Sequence, residues 1–166
     1  MTLLDAPIFD EARSRQRHRI VYSAAIVVFL LFLGWWMVAG MPIDGPWNWN
    51  SYMRGTRAAN HFFEAVEKSD LSKAYGIWFN DPDWQKHPAQ TGMYSFDRFQ
   101  QDWSSTGQEN EYGAIKSHKI VARRMSGNVL VIAVRINERK SKEMFLAYDV
   151  KARTLGFSPV ELYLGP

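Results

Sequence analysis

Ile20 to Met41 is a run of 22 residues without a charge, and four arginines stand directly in front of it. Wound as a helix, the run spans about 33 Å at ~1.5 Å per residue, against a bilayer hydrocarbon core of ~30 Å. A secretory leader carries an apolar stretch of only ~7–15 residues. Val38-Ala39-Gly40 offers the small residues of a cleavage site, but bulky Trp35 and Trp36 sit just upstream, where such sites favour smaller side chains. Trp47 and Trp49 follow, so four of the seven tryptophans gather at one end of the run. Indoles settle at the membrane–water boundary, apolar ring inward and N–H toward water. The run therefore reads as an anchor that stays.

Orientation follows from the flanks. Arg13, Arg15, Arg17 and Arg19, with His18, precede the run within seven residues, whereas only Arg54 and Arg57 follow it over the next sixteen. Positive flanks remain cytoplasmic. The expectation is a single-pass protein of the bacterial inner membrane, N-terminus inside and C-terminal domain periplasmic. The arginines are a topology signal that also attracts anionic headgroups, which makes membrane lipid one expected partner. Residues 1–19 are then a basic tail, 20–41 the span, 42–54 a Pro/Gly/Asn-rich linker and 55–166 one extracytoplasmic domain, long enough for a single core.

The chain has no Cys, which excludes disulfides, thiolate metal sites and a cysteine nucleophile. Its net charge of +3 is unevenly spread. Residues 44–111 carry six Lys/Arg against ten Asp/Glu, and residues 114–153 carry ten against three.

Beyond the linker the apolar period is first helical. Ala59, Phe62, Phe63 and Val66 form one stripe. Ser69 or Asp70 caps a second helix with Leu71, Ala74, Tyr75 and Trp78 inward, and Asn80-Asp81-Pro82 ends it. A third starts at Ser95, with Phe96, Phe99 and Trp103 inward. The period then becomes that of strands over Ile115–Arg124, Val129–Asn137, Glu143–Val150 and Leu155–Leu164, with hairpin signals at 125–128 and 151–154. Leu130, Ile132, Val134 and Ile136 share one face of the second strand, while Val129, Val131 and Ala133 before Arg135 on its other face imply partial cover on both sides. Helices followed by a meander predict an α+β domain: about three helices packed on a curved antiparallel sheet of about four strands.

"FFEAVEKSDLSKAYGIW" (62–78) resembles the opening of the nuclear transport factor two-like, or SnoaL-like, superfamily. Phe63, Ala65, Asp70, Ala74 and Trp78 carry the likeness, which extends over roughly residues 55–160 as element order. The resemblance implies a cone-shaped domain with a pocket between sheet and helices, and no particular reaction. Phe63, Tyr75, Trp78, Trp84, Tyr94, Trp103 and His118 are the candidate lining of that pocket. Enzymes of the superfamily pair an acidic base with a Tyr or protonated acid; Tyr75, Tyr94, Tyr112, Asp97 and Asp102 supply such groups only where they converge. The layout of short tail, single span and outer α+β domain is similar to the bitopic core subunit of type IV secretion systems.

Residue patterns point to no catalytic residue, metal ligand or cofactor. His61, His87 and His118 lack metal-ligand spacing. No phosphate-binding glycine loop or nucleophile elbow is present. Lys116, Lys119, Arg123, Arg124, Arg135, Arg139 and Lys140 form a candidate basic partner surface, but stacking aromatics are nearly absent among them, so nucleic acid is not the expected ligand. Three expectations follow. The first is a non-enzymatic accessory or assembly subunit of an envelope complex, docking other membrane proteins. The second is a binder of, or enzyme acting on, a small hydrophobic ligand in the cone. The third is a basic module for anionic lipid or polyanion.

Overall fold

The computed structural model describes residues 11–40, 45–87, 94–107, 110–139 and 142–162, with 11–14 as backbone. The chain forms two units, divided between Met41 and Pro42.

The first unit is one helix, α1 (Glu11–Val38). It starts inside the basic tail, so Arg13, Arg15, Arg17 and Arg19 continue the helix that holds the apolar run. Arg15–Val38 is long and apolar enough to cross a membrane, and none of its apolar window is buried within the chain. Its apolar side chains point outward all round, as a lipid-facing helix requires and a core helix does not.

In the second unit, a turn of 3-10 helix (Pro46–Asn48) leads into α2 (Trp49–Glu67). The helix begins within the stretch read as linker. Gly55, in its interior, is there for close packing: a Cβ would stand 2.6 Å from Leu130 Cδ2 and 2.9 Å from Tyr148 Cδ1. Helix α3 (Leu71–Trp78) is capped by Asp70, whose carboxylate accepts from the Lys73 N–H (3.1 Å). It stops where Asn80 turns left-handed (φ 53°) ahead of Pro82. Helix α4 (Phe96–Trp103) starts on Ser95, whose hydroxyl accepts from the Arg98 N–H (3.3 Å).

Four strands follow as an antiparallel meander in the order β1-β2-β3-β4. They are β1 (His118–Ser126), β2 (Val129–Ile136), β3 (Glu143–Asp149) and β4 (Leu155–Phe157). β1 and β2 meet in a two-residue hairpin that places Gly127 at φ 61°, a conformation glycine takes without a Cβ clash. β1 starts three residues later than the apolar pattern suggests, although Ile115 still joins the core. β4 is short because the chain leaves the sheet at Ser158, before Pro159. Leu130, Ile132, Val134 and Ile136 face the helices and are completely buried. Val131 and Ala133, on the far side of the strand, are 2% and 0% exposed, so the central strand is covered on both faces. The architecture is α+β.

Candidate functional site

The space between helices and sheet is filled with rings. Phe62 touches Phe63 (5.2 Å), Trp78 (5.2 Å) and Trp103 (4.7 Å), and Trp78 meets Trp103 at 5.7 Å. Tyr75 packs on Phe99 at 5.1 Å. Of the residues expected to line a cone pocket, Phe63, Tyr75, Trp78 and Trp103 are thus core aromatics. His118 stacks on Phe63 (5.1 Å), and Trp84 is half-buried at the edge of the core, on the flank of α3.

The polar groups in this layer hold one another. The Tyr75 hydroxyl donates to the Tyr94 carbonyl (2.6 Å). The Tyr94 hydroxyl donates to Asp102 Oδ2 (2.7 Å) and accepts from Trp103 Nε1–H (3.2 Å), while Arg98 Nε stands 3.4 Å from Asp102 Oδ1. Burial, reinforced by Asp102, pushes the Tyr94 phenol above the ordinary tyrosine range. Tyrosine and acid do converge here, with the phenol O–H donating to the Asp102 carboxylate. Tyr112 and Asp97 are not part of the cluster. Tyr112 is raised by burial beside Lys142, and its backbone N–H donates to Asn110 Oδ1 (3.0 Å). Asp97 sits in the first turn of α4.

His118 ties the sheet to α2. Its Nδ1 lies 2.7 Å from Glu67 Oε1 and its Nε2 3.2 Å from Asn60 Oδ1. Both ring nitrogens therefore have a partner on α2. His87 is held by Asp81 (2.8 Å), and Asp81 also accepts from the Asp83 N–H (3.0 Å), the turn chemistry that "DPDW" suggests.

Among the basic residues of the strands, Lys119, Arg124 and Arg135 share one face of the sheet and Arg123 lies on the other. β1 carries an irregularity between Ile120 and Ala122, and the extra residue reverses the alternation beyond it. Arg123 therefore points toward α2, where its Nη1 donates to Thr56 Oγ1 (2.9 Å), and burial lowers its pKa. Lys119 and Arg124 stand on the opposite face. Arg135 is paired with Glu143 (2.7 Å), and Arg139 donates to the Glu111 carbonyl (3.3 Å). Lys116 lies exposed beside the Asn137 turn. Lys140 lies outside the described residues.

At the other end of the sequence, Trp47 is 78% exposed and Trp49 only 4%, so of these two indoles only Trp47 presents its ring outward. Trp35 is exposed and Trp36 half-buried on α1, and Arg15, Arg17 and Arg19 are exposed on its first turns.

A groove of about 870 Å³ lies between α2 and α3, away from the aromatic core. Arg54, Arg57, Ala58 and His61 recur along one face of α2 at helical spacing. Lys73, Gly76 and Ile77 face them from α3. Trp84 closes one end, held by its indole N–H on the Ser72 carbonyl (3.2 Å) and by Tyr75 and Phe96 at 4.7 and 4.8 Å. Gly76 lets the Asp81–Pro82 turn fold tightly over the helix: a Cβ would lie 3.0 Å from the Asp81 carbonyl. Tyr148 and Arg153 complete the wall from β3 and the β3–β4 turn. That turn is fixed by Asp149, whose Oδ1 accepts from the Lys151 and Ala152 N–H groups, both at 2.8 Å.

Electrostatically the groove is positive. Arg54, Arg57, Lys73 and Arg153 face one carboxylate, Asp70, which is already engaged as the α3 cap. Among the described residues none of the three arginines has a carboxylate within ion-pair distance. Burial raises the Tyr148 phenol while Arg153 and Arg54 pull it down. The signal for half of this site is visible in the spacing of residues 54, 57 and 61. The other half arrives from a distant turn.

Comparison with protein-family models, with curated proteins and with solved structures finds no match.

Proposed function

We propose that the chain is a membrane-anchored, non-enzymatic accessory or assembly subunit of a bacterial envelope complex. Its N-terminus is cytoplasmic, and its α+β domain docks other membrane proteins from the periplasmic side. The observation that carries this reading is the filled interior. Where a cone-shaped enzyme would hold substrate, Phe62, Phe63, Trp78 and Trp103 pack against one another. Tyr94, Asp102 and His118, three of the groups suited to acid–base work, are bonded to one another or to neighbouring side chains. Function is then carried by surface. We read the domain as a member of the nuclear transport factor two-like superfamily in which the pocket has been exchanged for core, in a layout like that of the bitopic subunit of type IV secretion systems. Arg13, Arg15, Arg17 and Arg19 support the orientation. Tethering raises the effective concentration of the domain toward membrane partners, so modest contacts suffice.

Extraction of the intact chain from native membranes in a mild non-ionic detergent tests the proposal. Defined partners are expected to co-purify in fixed stoichiometry. A lone monomer under every mild condition overturns it.

A further inference from the structure

We propose that the α2–α3 groove is a binding site for a phosphate-bearing amphiphile, a phosphate mono- or diester with an apolar body. Three arginines line it from two remote stretches of chain, Arg54 and Arg57 from α2 and Arg153 from the β3–β4 turn. With Lys73 they outnumber the single lining carboxylate, Asp70, and a surplus of like charge around one groove is relieved by a bound anion. Guanidinium forks match phosphate oxygens in pairs, and several forks around one point suit a compact group with several oxygens. Beside the cations lies an apolar wall, Ile77 and Trp84, which receives the non-polar part of the ligand. A volume of about 870 Å³ lies within the range of small-molecule sites. The apolar wall beside the cations favours an amphiphile over a purely acidic peptide. The site stands on the groove alone, so the loss of the partner-docking reading leaves it untouched, and the converse holds.

Two sources share this chemistry, an anionic membrane phospholipid and a soluble phosphate ester. They are separated by native mass spectrometry of the full chain in detergent micelles, titrated with phosphatidylglycerol, phosphatidylcholine or hexyl phosphate. A soluble Glu-rich peptide serves as competitor. The probe variants are R54Q/R153Q and, independently, R57Q. All three positions are exposed, and an unchanged unfolding midpoint confirms the fold. K119Q/R124Q on the far face of the sheet is the charge-matched control. The expected result is one phosphatidylglycerol adduct that phosphatidylcholine does not replace, weakened about tenfold in R54Q/R153Q, weakened also in R57Q and by salt, and unchanged in the control. Hexyl phosphate binding with the same variant pattern, without a phosphatidylglycerol adduct, upholds the site and assigns a soluble source. The proposal is overturned if neither phosphate probe binds, if R54Q/R153Q binds as the wild type does, or if only the acidic peptide occupies the groove.

Discussion

Replacing Phe62 with alanine measures how full the domain's interior is. The ring is completely buried and lies against Phe63, Trp78, Phe99 and Trp103, with centroids 4.7 to 6.1 Å away. A buried Phe→Ala change costs about 3–5 kcal/mol through lost transfer energy and the cavity left behind. Four aromatic neighbours place Phe62 toward the middle or upper part of that range, at about 4 kcal/mol. Native domains have only about 5–15 kcal/mol in all, so Phe62→Ala should lie near the limit of folding. Phe62→Leu, which keeps most of the volume, should lose less than about 1.5 kcal/mol and keep the comparison measurable. Urea unfolding of the full chain in non-ionic detergent, followed by tryptophan fluorescence, reads both. Phe157→Ala is the internal control, since its ring is 51% exposed and should cost about 1 kcal/mol. Were the rings instead the walls of an open cavity, Phe62 would already lack partners on one side. Its truncation would then cost about as little as that of Phe157. Equal losses for Phe62→Ala and Phe157→Ala would refute the packed-interior argument.

Tyr94→Phe removes a hydroxyl that serves both Asp102 and Trp103, and should cost about 1–2 kcal/mol at pH 8. Because burial raises the folded phenol above its unfolded value near ~10, its stabilisation is complete below that pH and is lost as pH climbs toward the folded value. The difference in urea midpoint between Tyr94→Phe and wild type should therefore narrow above pH 10, and a gap constant with pH would contradict the assignment. Asp70→Ala deletes the α3 cap and should lower stability by about 1 kcal/mol, again by urea midpoint. Changing Arg13, Arg15, Arg17 and Arg19 to Glu should remove the orientation bias. A C-terminal reporter active only outside the cytoplasm should then lose most of its signal, while an unaffected reporter would show that orientation is set elsewhere.

Much of the fold is legible because burial imposes periods that composition cannot hide. The stripe Ala59–Phe62–Phe63–Val66 and the alternation Leu130–Ile132–Val134–Ile136 are core in the structure as in the pattern. Helix α2 starts earlier than the pattern suggests, because Pro46 and the Asn residues around it look like linker. Pro46 instead starts the 3-10 turn, and Gly55 gives the backbone its approach to Leu130 and Tyr148. Which face each basic strand residue takes is hidden for a different reason. A one-residue irregularity after Ile120 turns Arg123 inward and Arg124 outward, and no local signal in "HKIVARRMS" announces it. The groove is half legible: Arg54, Arg57 and His61 share a helix face by spacing, whereas Arg153 reaches them only through the pairing of β3 with β4.

The retention of α1 in the bilayer is tested most directly by tagging the chain at both ends and washing native membranes with alkaline carbonate. Both tags should stay in the pellet on one polypeptide, with the C-terminal tag alone open to protease added outside intact spheroplasts. A soluble product that has lost the N-terminal tag and begins near Met41 would contradict the account.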